Sequence, residues 1–179
     1  VKGVLHIDLS LRGSNCTIED NSFIENSVVG NGGALNIRKT AKASLLIEDN
    51  IFENNSAYFS LSKKTGGKGG AIYMFCSNFE DQNLIRNGSF INNKAEIHGG
   101  AVYTEGTIFI FEGTIFSNNT IGDPYYYLNN AVGTPPVKLE LISTNSSIDF
   151  LYRNRRAEAN IFSPKINTRS LPCNRNIIV

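Results

Sequence analysis

The chain has 179 residues, with 17 Lys and Arg against 16 Asp and Glu, a formal charge of +1; no global field favours nucleic acid or an anionic membrane. Its length suits one domain or one segment of a repeat structure with a continuous core. No apolar run approaches the ~20 residues of a membrane-spanning helix, and the opening Val1-Lys2-Gly3 carries no signal-peptide pattern, so the chain reads as a processed or excised piece.

Asn occurs 23 times, beside 16 Gly, no Trp and one Met. That bias suits neither helix nor ordinary sheet and points to internal periodicity with repeated use of turns and side-chain amides. In chain order, a degenerate Lys2-Gly3-Val4-Leu5-His6-Ile7 is followed by Ile18-Glu19-Asp20-Asn21-Ser22-Phe23 with Asn26 three residues on. Gly32-Gly33-Ala34-Leu35-Asn36-Ile37 comes next, then Ile47-Glu48-Asp49-Asn50-Ile51-Phe52 with Asn55. Gly69-Gly70-Ala71-Ile72-Tyr73-Met74 precedes Ile85-Arg86-Asn87-Gly88-Ser89-Phe90 with Asn93; Gly99-Gly100-Ala101-Val102-Tyr103-Thr104 precedes Phe111-Glu112-Gly113-Thr114-Ile115-Phe116 with Asn119. Fainter copies sit at Asn129-Asn130-Ala131-Val132, at Phe150, and at Ala159-Asn160-Ile161-Phe162. The second Gly or its stand-in falls at 3, 33, 70, 100, 130 and 160, a period of 30 with one seven-residue insertion.

Each repeat holds three short β-type stretches, as at 44–49, 51–55 and 71–75, separated by Gly-, Asn- or Lys-rich breaks. Three short strands cannot bury their own apolar face, so units must stack, each strand pairing in parallel with its counterpart in the next coil. The predicted fold is all-β: a parallel β-helix solenoid of about five to six coils of ~30 residues. It forms a single segment over 1–179, with insertions at 57–68 and 121–128 and degenerate terminal coils over 133–179. Alternation turns Cys16 and Ile18, Leu45 and Ile47, Phe109 and Phe111, Leu35 and Ile37, Ile72 and Met74, and Val102 inward, and stacks Tyr73 on Tyr103 outside. The pairs Gly32-Gly33, Gly69-Gly70 and Gly99-Gly100, the Phe23, Phe52, Phe90 and Phe116 column and the Asn26, Asn55, Asn93 and Asn119 column read as structural, the last as an amide ladder.

The combination of Gly-Gly-Ala-aliphatic and Phe-x-x-Asn repeats resembles the chlamydial polymorphic outer-membrane protein repeat and its relatives in large surface proteins. The resemblance spans about residues 2 to 132 and extends more faintly to 162. It implies a right-handed parallel β-helix exposed at the cell surface, usually with adhesive or structural duties. Residues 122–179 depart from the pattern.

Parallel β-helices also carry polysaccharide lyases and hydrolases, which need clustered Asp, or Ca²⁺ with an Arg or Lys base. The nearest candidates are Glu19 and Asp20, one coil from Glu48 and Asp49, as a Ca²⁺ site; a solvated outer face with Arg86 as compensating charge is the simpler reading. His6 and His98 occupy different repeat positions, and Gly66-Gly67-Lys68-Gly69-Gly70 lacks the Ser or Thr and the helix of a phosphate loop. No catalytic residue and no cofactor is expected.

Extra length always leaves at one corner, carrying Tyr58, Phe59, Lys63, Lys64 and Lys68 in one insertion and Tyr125, Tyr126 and Tyr127 in the other, where contact with a host or cell-surface protein is expected. N-glycosylation sequons stand at Asn15, Asn54, Asn87, Asn118 and Asn145, a number that composition alone nearly supplies. The three cysteines are 16, 76 and 173; Cys16 and Cys173 hold equivalent repeat positions near opposite ends. Open end coils suggest end-to-end stacking with itself, residues 1–7 completing the neighbour's last coil and Cys16 approaching its Cys173 as an inter-subunit disulfide. The functional expectation is a non-enzymatic, extracellular structural or adhesive element, a possible glycosylated surface filament. A carbohydrate-binding or carbohydrate-active β-helix and an autotransporter passenger adhesin are the alternatives.

Overall fold

The computed structural model describes residues 4–77, 82–105 and 108–122, with backbone strand segments at 132–133, 138–142, 145–146 and 158–162. The first coil runs through β1 (Leu5–Leu9), β2 (Asn15–Glu19), β3 (Ser22–Ile24) and β4 (Ser27–Val29). The second repeats this as β5 (Leu35–Lys39), β6 (Ser44–Glu48), β7 (Ile51–Glu53) and β8 (Ser56–Ser60), then adds β9 (Thr65–Gly66). The third comprises β10 (Ile72–Cys76), β11 (Gln82–Arg86), β12 (Ser89–Ile91) and β13 (Lys94–Ala95). The fourth comprises β14 (Val102–Glu105), β15 (Ile108–Glu112), β16 (Ile115–Ser117) and β17 (Thr120–Ile121). Beyond it lie β18 (Val132–Gly133), β19 (Lys138–Ile142), β20 (Asn145–Ser146) and β21 (Glu158–Phe162).

Equivalent strands pair in parallel to form four sheets along the stack. Sheet A is β1-β5-β10-β14-β18, sheet B is β2-β6-β11-β15-β19-β21, sheet C is β3-β7-β12-β16-β20 and sheet D is β4-β8-β13-β17. This is a parallel β-helix with four strands per full coil, where the sequence reading expected three. The fourth, after each Phe-x-x-Asn, is two to five residues long, too short and too varied from coil to coil to show an alternation that would betray it.

The last strand also differs from expectation. The 30-residue period assigns Ala159-Asn160-Ile161-Phe162 to sheet A, but β21 pairs with β19 in sheet B, with Leu139 opposite Ala159, an offset of 20. Two alternating apolar stretches look alike to a periodicity argument, and strand partnership decides between them. The earlier stand-in keeps its place, Val132 standing opposite Val102.

The core is built from columns. Leu35, Ile72 and Val102 lie in register, as do Ile37 and Met74, and all are fully buried. Ile18, Leu45, Ile47 and Ile85 face them from sheet B, and Cys16 is partly buried against the same cluster. Sheet C contributes one inward residue per coil, always Phe: Phe23–Phe52, Phe52–Phe90 and Phe90–Phe116 ring centroids are 4.9, 4.7 and 5.0 Å apart with near-parallel planes. Those spacings are the strand separation of a sheet, so the backbone itself sets the stack. Phe111 meets Phe116 edge-on at 5.3 Å, knitting sheet B to sheet C.

The corner after each Phe is closed by amides. The Oδ1 of Asn55 accepts from the backbone N–H of Asn26 at 3.0 Å and from its Nδ2 at 2.9 Å, while Asn55 Nδ2 donates to the Phe23 carbonyl at 2.8 Å. Asn93 repeats this toward Asn55 and Phe52, and Asn119 toward Asn93 and Phe90. Asn has the two donors and the acceptor at the reach this requires, and Asn55, Asn93 and Asn119 are fully buried. Gly70 marks the corner between sheets D and A: a Cβ there would overlap the Gly100 carbonyl oxygen and Lys94 backbone, and its partner Gly69 sits at φ +67°.

Replacing Asn93 by Ala should cost more than its volume suggests, because it orphans the Asn55 N–H and the Phe52 carbonyl at about 1–3 kcal/mol each. Phe90→Ala should cost about 3–5 kcal/mol by cavity formation. Equilibrium urea unfolding of the two variants against the parent chain checks both.

Candidate functional site

The outer surface, where chemistry or recognition has to reside, is set by the two tight corners flanking sheet C. Asp20, Asp49, Asn87 and Gly113 form one column of left-handed residues between sheets B and C, with φ between +50° and +59°. Glu25, Asn54, Asn92 and Asn118 form a second between sheets C and D, with φ between +53° and +55°. Among residues with a side chain, Asn and Asp tolerate this conformation best, and four of the 23 Asn stand in these columns. Inside the first corner Asn50 is buried, its Oδ1 accepting from the Asn21 N–H at 3.0 Å and its Nδ2 donating to the Ile18 carbonyl at 2.7 Å and the Glu48 carbonyl at 2.6 Å. Thr114 takes the same place in the fourth coil, donating to Ile85 and Glu112 carbonyls.

Beside this corner runs the charged column Glu19, Glu48, Arg86 and Glu112, in register along sheet B. Arg86 Nη1 reaches Glu48 Oε1 at 3.1 Å and its Nε reaches Glu112 Oε2 at 3.0 Å. Hydrogen bonds to Glu112 and Glu48 hold the guanidinium above its ordinary pKa. Of the calcium candidates, Glu48 pairs with Arg86, and Asp20 and Asp49 lie in the left-handed turns of consecutive coils. Among the described residues no three His, Cys, Asp or Glu side chains converge on a point that would hold a metal ion.

The Lys68 loop is likewise occupied by its own protein. The N–H groups of Gly67, Gly69 and Gly70 donate to the carbonyls of Gly30, His98 and Gly99, and that of Lys68 to Asn31 Oδ1. No nest of amides is left for a phosphate. Lys68 Nζ instead bonds Glu105 at 2.9 Å and lies 4.7 Å above the Tyr103 ring. Tyr103 stacks on Tyr73 at 6.0 Å and on His98 at 5.8 Å, giving an outer aromatic rail on sheet A. His6 lies on β1 in the same column, separated from Tyr73 by Asn36 of the intervening strand.

Of the sequons, Asn54 and Asn118 are exposed in the left-handed corner between sheets C and D, and Asn87 is exposed in the other corner. Asn15 is exposed and its Oδ1 accepts from Ser44 Oγ; Asn145 opens β20. Burial raises the Cys16 thiol pKa, so it is no activated nucleophile. Cys173 and Tyr125, Tyr126 and Tyr127 lie outside the described residues, as does Phe150.

Sequence reasoning missed one inward residue of note. Lys39 is fully buried, donating from Nζ to Asn83 Oδ1 at 2.9 Å, with Asn83 also fully buried. The parity that turns Leu35 and Ile37 inward applies to Lys39 too, but its charge argued for solvent. The first insertion is a hairpin: β9 returns antiparallel on β8, Phe59 opposite Gly66, and Leu61 at its tip is 84% exposed with Lys63 and Lys64 beside it.

Residues 51–74 and 87–105 match the family described as the Chlamydia polymorphic membrane protein repeat. It is 32% identical over 114 residues to "Probable outer membrane protein PmpA" of Chlamydia trachomatis serovar D, covering 55% of this chain and 11% of that relative. The Chlamydia muridarum protein of the same name is 35% identical over 103 residues, covering 51% and 10%. The chain spans about a tenth of the length of these curated relatives. No solved structure matches. Among the described residues no helix is long and apolar enough to cross a membrane.

The aromatic rail makes a pH prediction. Burial opposes the charge on Lys68, yet the Glu105 hydrogen bond and neighbouring charges leave it above its ordinary pKa; burial and then Glu105 raise Tyr73, and burial raises Tyr103. The folded chain therefore holds protons that the unfolded chain has released. The stability they give is complete below about pH 10 and falls as pH climbs through the raised values. Alkaline unfolding followed by tyrosinate absorbance should show this loss, and Tyr103→Phe should make it shallower.

Proposed function

We propose that the chain is a surface-displayed segment of an outer-membrane protein, a β-helical stalk with structural or adhesive duty and no catalytic role. The observation that carries this reading is the match of the repeat itself, whose Phe, Asn and Gly positions are spent on internal packing and leave function to the outer corners. Both relatives are named probable outer membrane proteins. In the charged column of sheet B, Arg86 pairs with Glu48 and Glu112, which speaks against a carbohydrate-active groove there.

Adhesive contact falls to the hairpin within 57–68, which leaves the solenoid wall with an exposed leucine and two exposed lysines. In a compartment with N-glycosylation, Asn54 and Asn118 are the sequons best placed for a glycan, because their shared corner points the chain away from the core columns.

Antibody labelling of intact cells that make the protein tests the reading. Labelling before permeabilisation is the expected outcome, and labelling that requires permeabilisation would sink it. Beads coated with the chain should adhere to target cells, and shortening the hairpin between Ser60 and Thr65 should reduce adhesion while leaving the thermal transition in place.

A further inference from the structure

The solenoid is electrically lopsided across its section. Around each coil the sheets follow in the order A, B, C, D, so the B/C corner lies opposite the D/A corner. The B/C corner of the first two coils carries Glu19, Asp20 and Asp49, all exposed. On the outer face of sheet C, Ile51 beside that corner is 43% exposed, and Ile24 at the far end of its three-residue strand is 47% exposed, with Glu53 next to Ile24 in register. The D/A corner of the second coil carries the β8–β9 hairpin, with Leu61 at its tip and Lys63 and Lys64 exposed. Among the described ion pairs none involves Glu19, Asp20, Asp49, Lys63 or Lys64.

We infer that these two edges are the halves of one lateral contact, the hairpin tip of one copy seating against the acidic, isoleucine-bearing edge of a second copy of the chain. The occupant follows from complementarity in both sign and apolarity: two lysines flank a leucine on one side, and carboxylates flank isoleucines on the other. A hydrophobic centre within a ring of opposite charges is the arrangement that steers and holds a specific contact. Both halves lie in the first two coils, so partners stand level, side by side. The contact is heterologous: each copy keeps one free hairpin or one free acidic edge, and the association extends as a row. A hairpin tip covers much less than the ~800 Å² per partner of stable complexes, so the row is weak in dilute solution and grows with local density.

Sedimentation velocity of the 179-residue chain over a concentration series tests this. Association should rise with concentration and should fade between about 0.01 M and about 1 M salt, as the screening length drops from ~30 Å to ~3 Å. Lys63→Ser with Lys64→Asn, and separately Asp20→Asn with Asp49→Asn, should each weaken it by about tenfold, the effect of two surface charge pairs. Asn is compatible with the left-handed backbone at 20, 49 and 64, and unchanged melting of both variants excludes misfolding. An equimolar mixture of the two variants should recover dimers but nothing larger, since one intact hairpin then meets one intact edge. A monomer at every salt and concentration, or association indifferent to these substitutions, overturns the inference. Retention of the parent but not the Lys63→Ser/Lys64→Asn chain on a sulfated polysaccharide, without self-association, also overturns it and assigns the hairpin to an anionic glycan.

Discussion

Everything in this molecule depends on one constraint: parallel strands stacked in register bring the same position of successive coils to within one strand spacing, about 4.7–4.9 Å. At that distance a side chain must be able to tolerate a copy of itself. Phe meets the requirement by lying flat on Phe, with centroids 4.7 to 5.0 Å apart. Asn meets it by donating and accepting at once. Arg86 meets it by changing sign between Glu48 and Glu112, whereas Glu19 stands beside Glu48 at the exposed end of the column. A column of identical carboxylates would repel along its whole length.

The same constraint separates structural from functional positions. Three of the corners are filled by repeated residues whose backbone groups are already bonded to the neighbouring coil, the Gly pairs and the two Asn-bearing turns. Length varies where the chain passes from sheet D to sheet A, where the hairpin leaves ahead of the Gly pair, and by a few residues between sheets A and B. Catalytic groups must converge from different directions on one point, whereas a ladder holds its side chains in parallel files. Recognition by an edge or a loop suits this scaffold better than chemistry in a pocket.

Much of this was legible in the sequence because stacking forces repetition. The Phe and Asn columns, the Gly pairs and the inward aliphatics of sheets A and B could be aligned by eye, and the Tyr73–Tyr103 stack followed from parity alone. Sheet D was illegible, since strands such as Lys94–Ala95 owe their conformation to tertiary pairing with Ser56 and Ala57 and not to their own pattern. The left-handed columns escaped because Glu25 and Asp20 give no local sign of positive φ. Lys39 escaped because its burial depends on a distant amide, Asn83, 44 residues on. The placement of Ala159–Phe162 went astray where the period breaks to 20 and only partnership with Leu139 identifies the sheet.

The parallel-strand hydrogen bonds and the amide ladder link each coil to the next along the long axis of the solenoid. Tension applied along that axis therefore loads the coils in series, and the molecule yields one rung at a time from whichever rung is weakest. Force applied across the stack has to shear whole ladders together. A stalk of this construction is mechanically anisotropic: compliant and recoverable when drawn out lengthwise, stiff when pushed sideways.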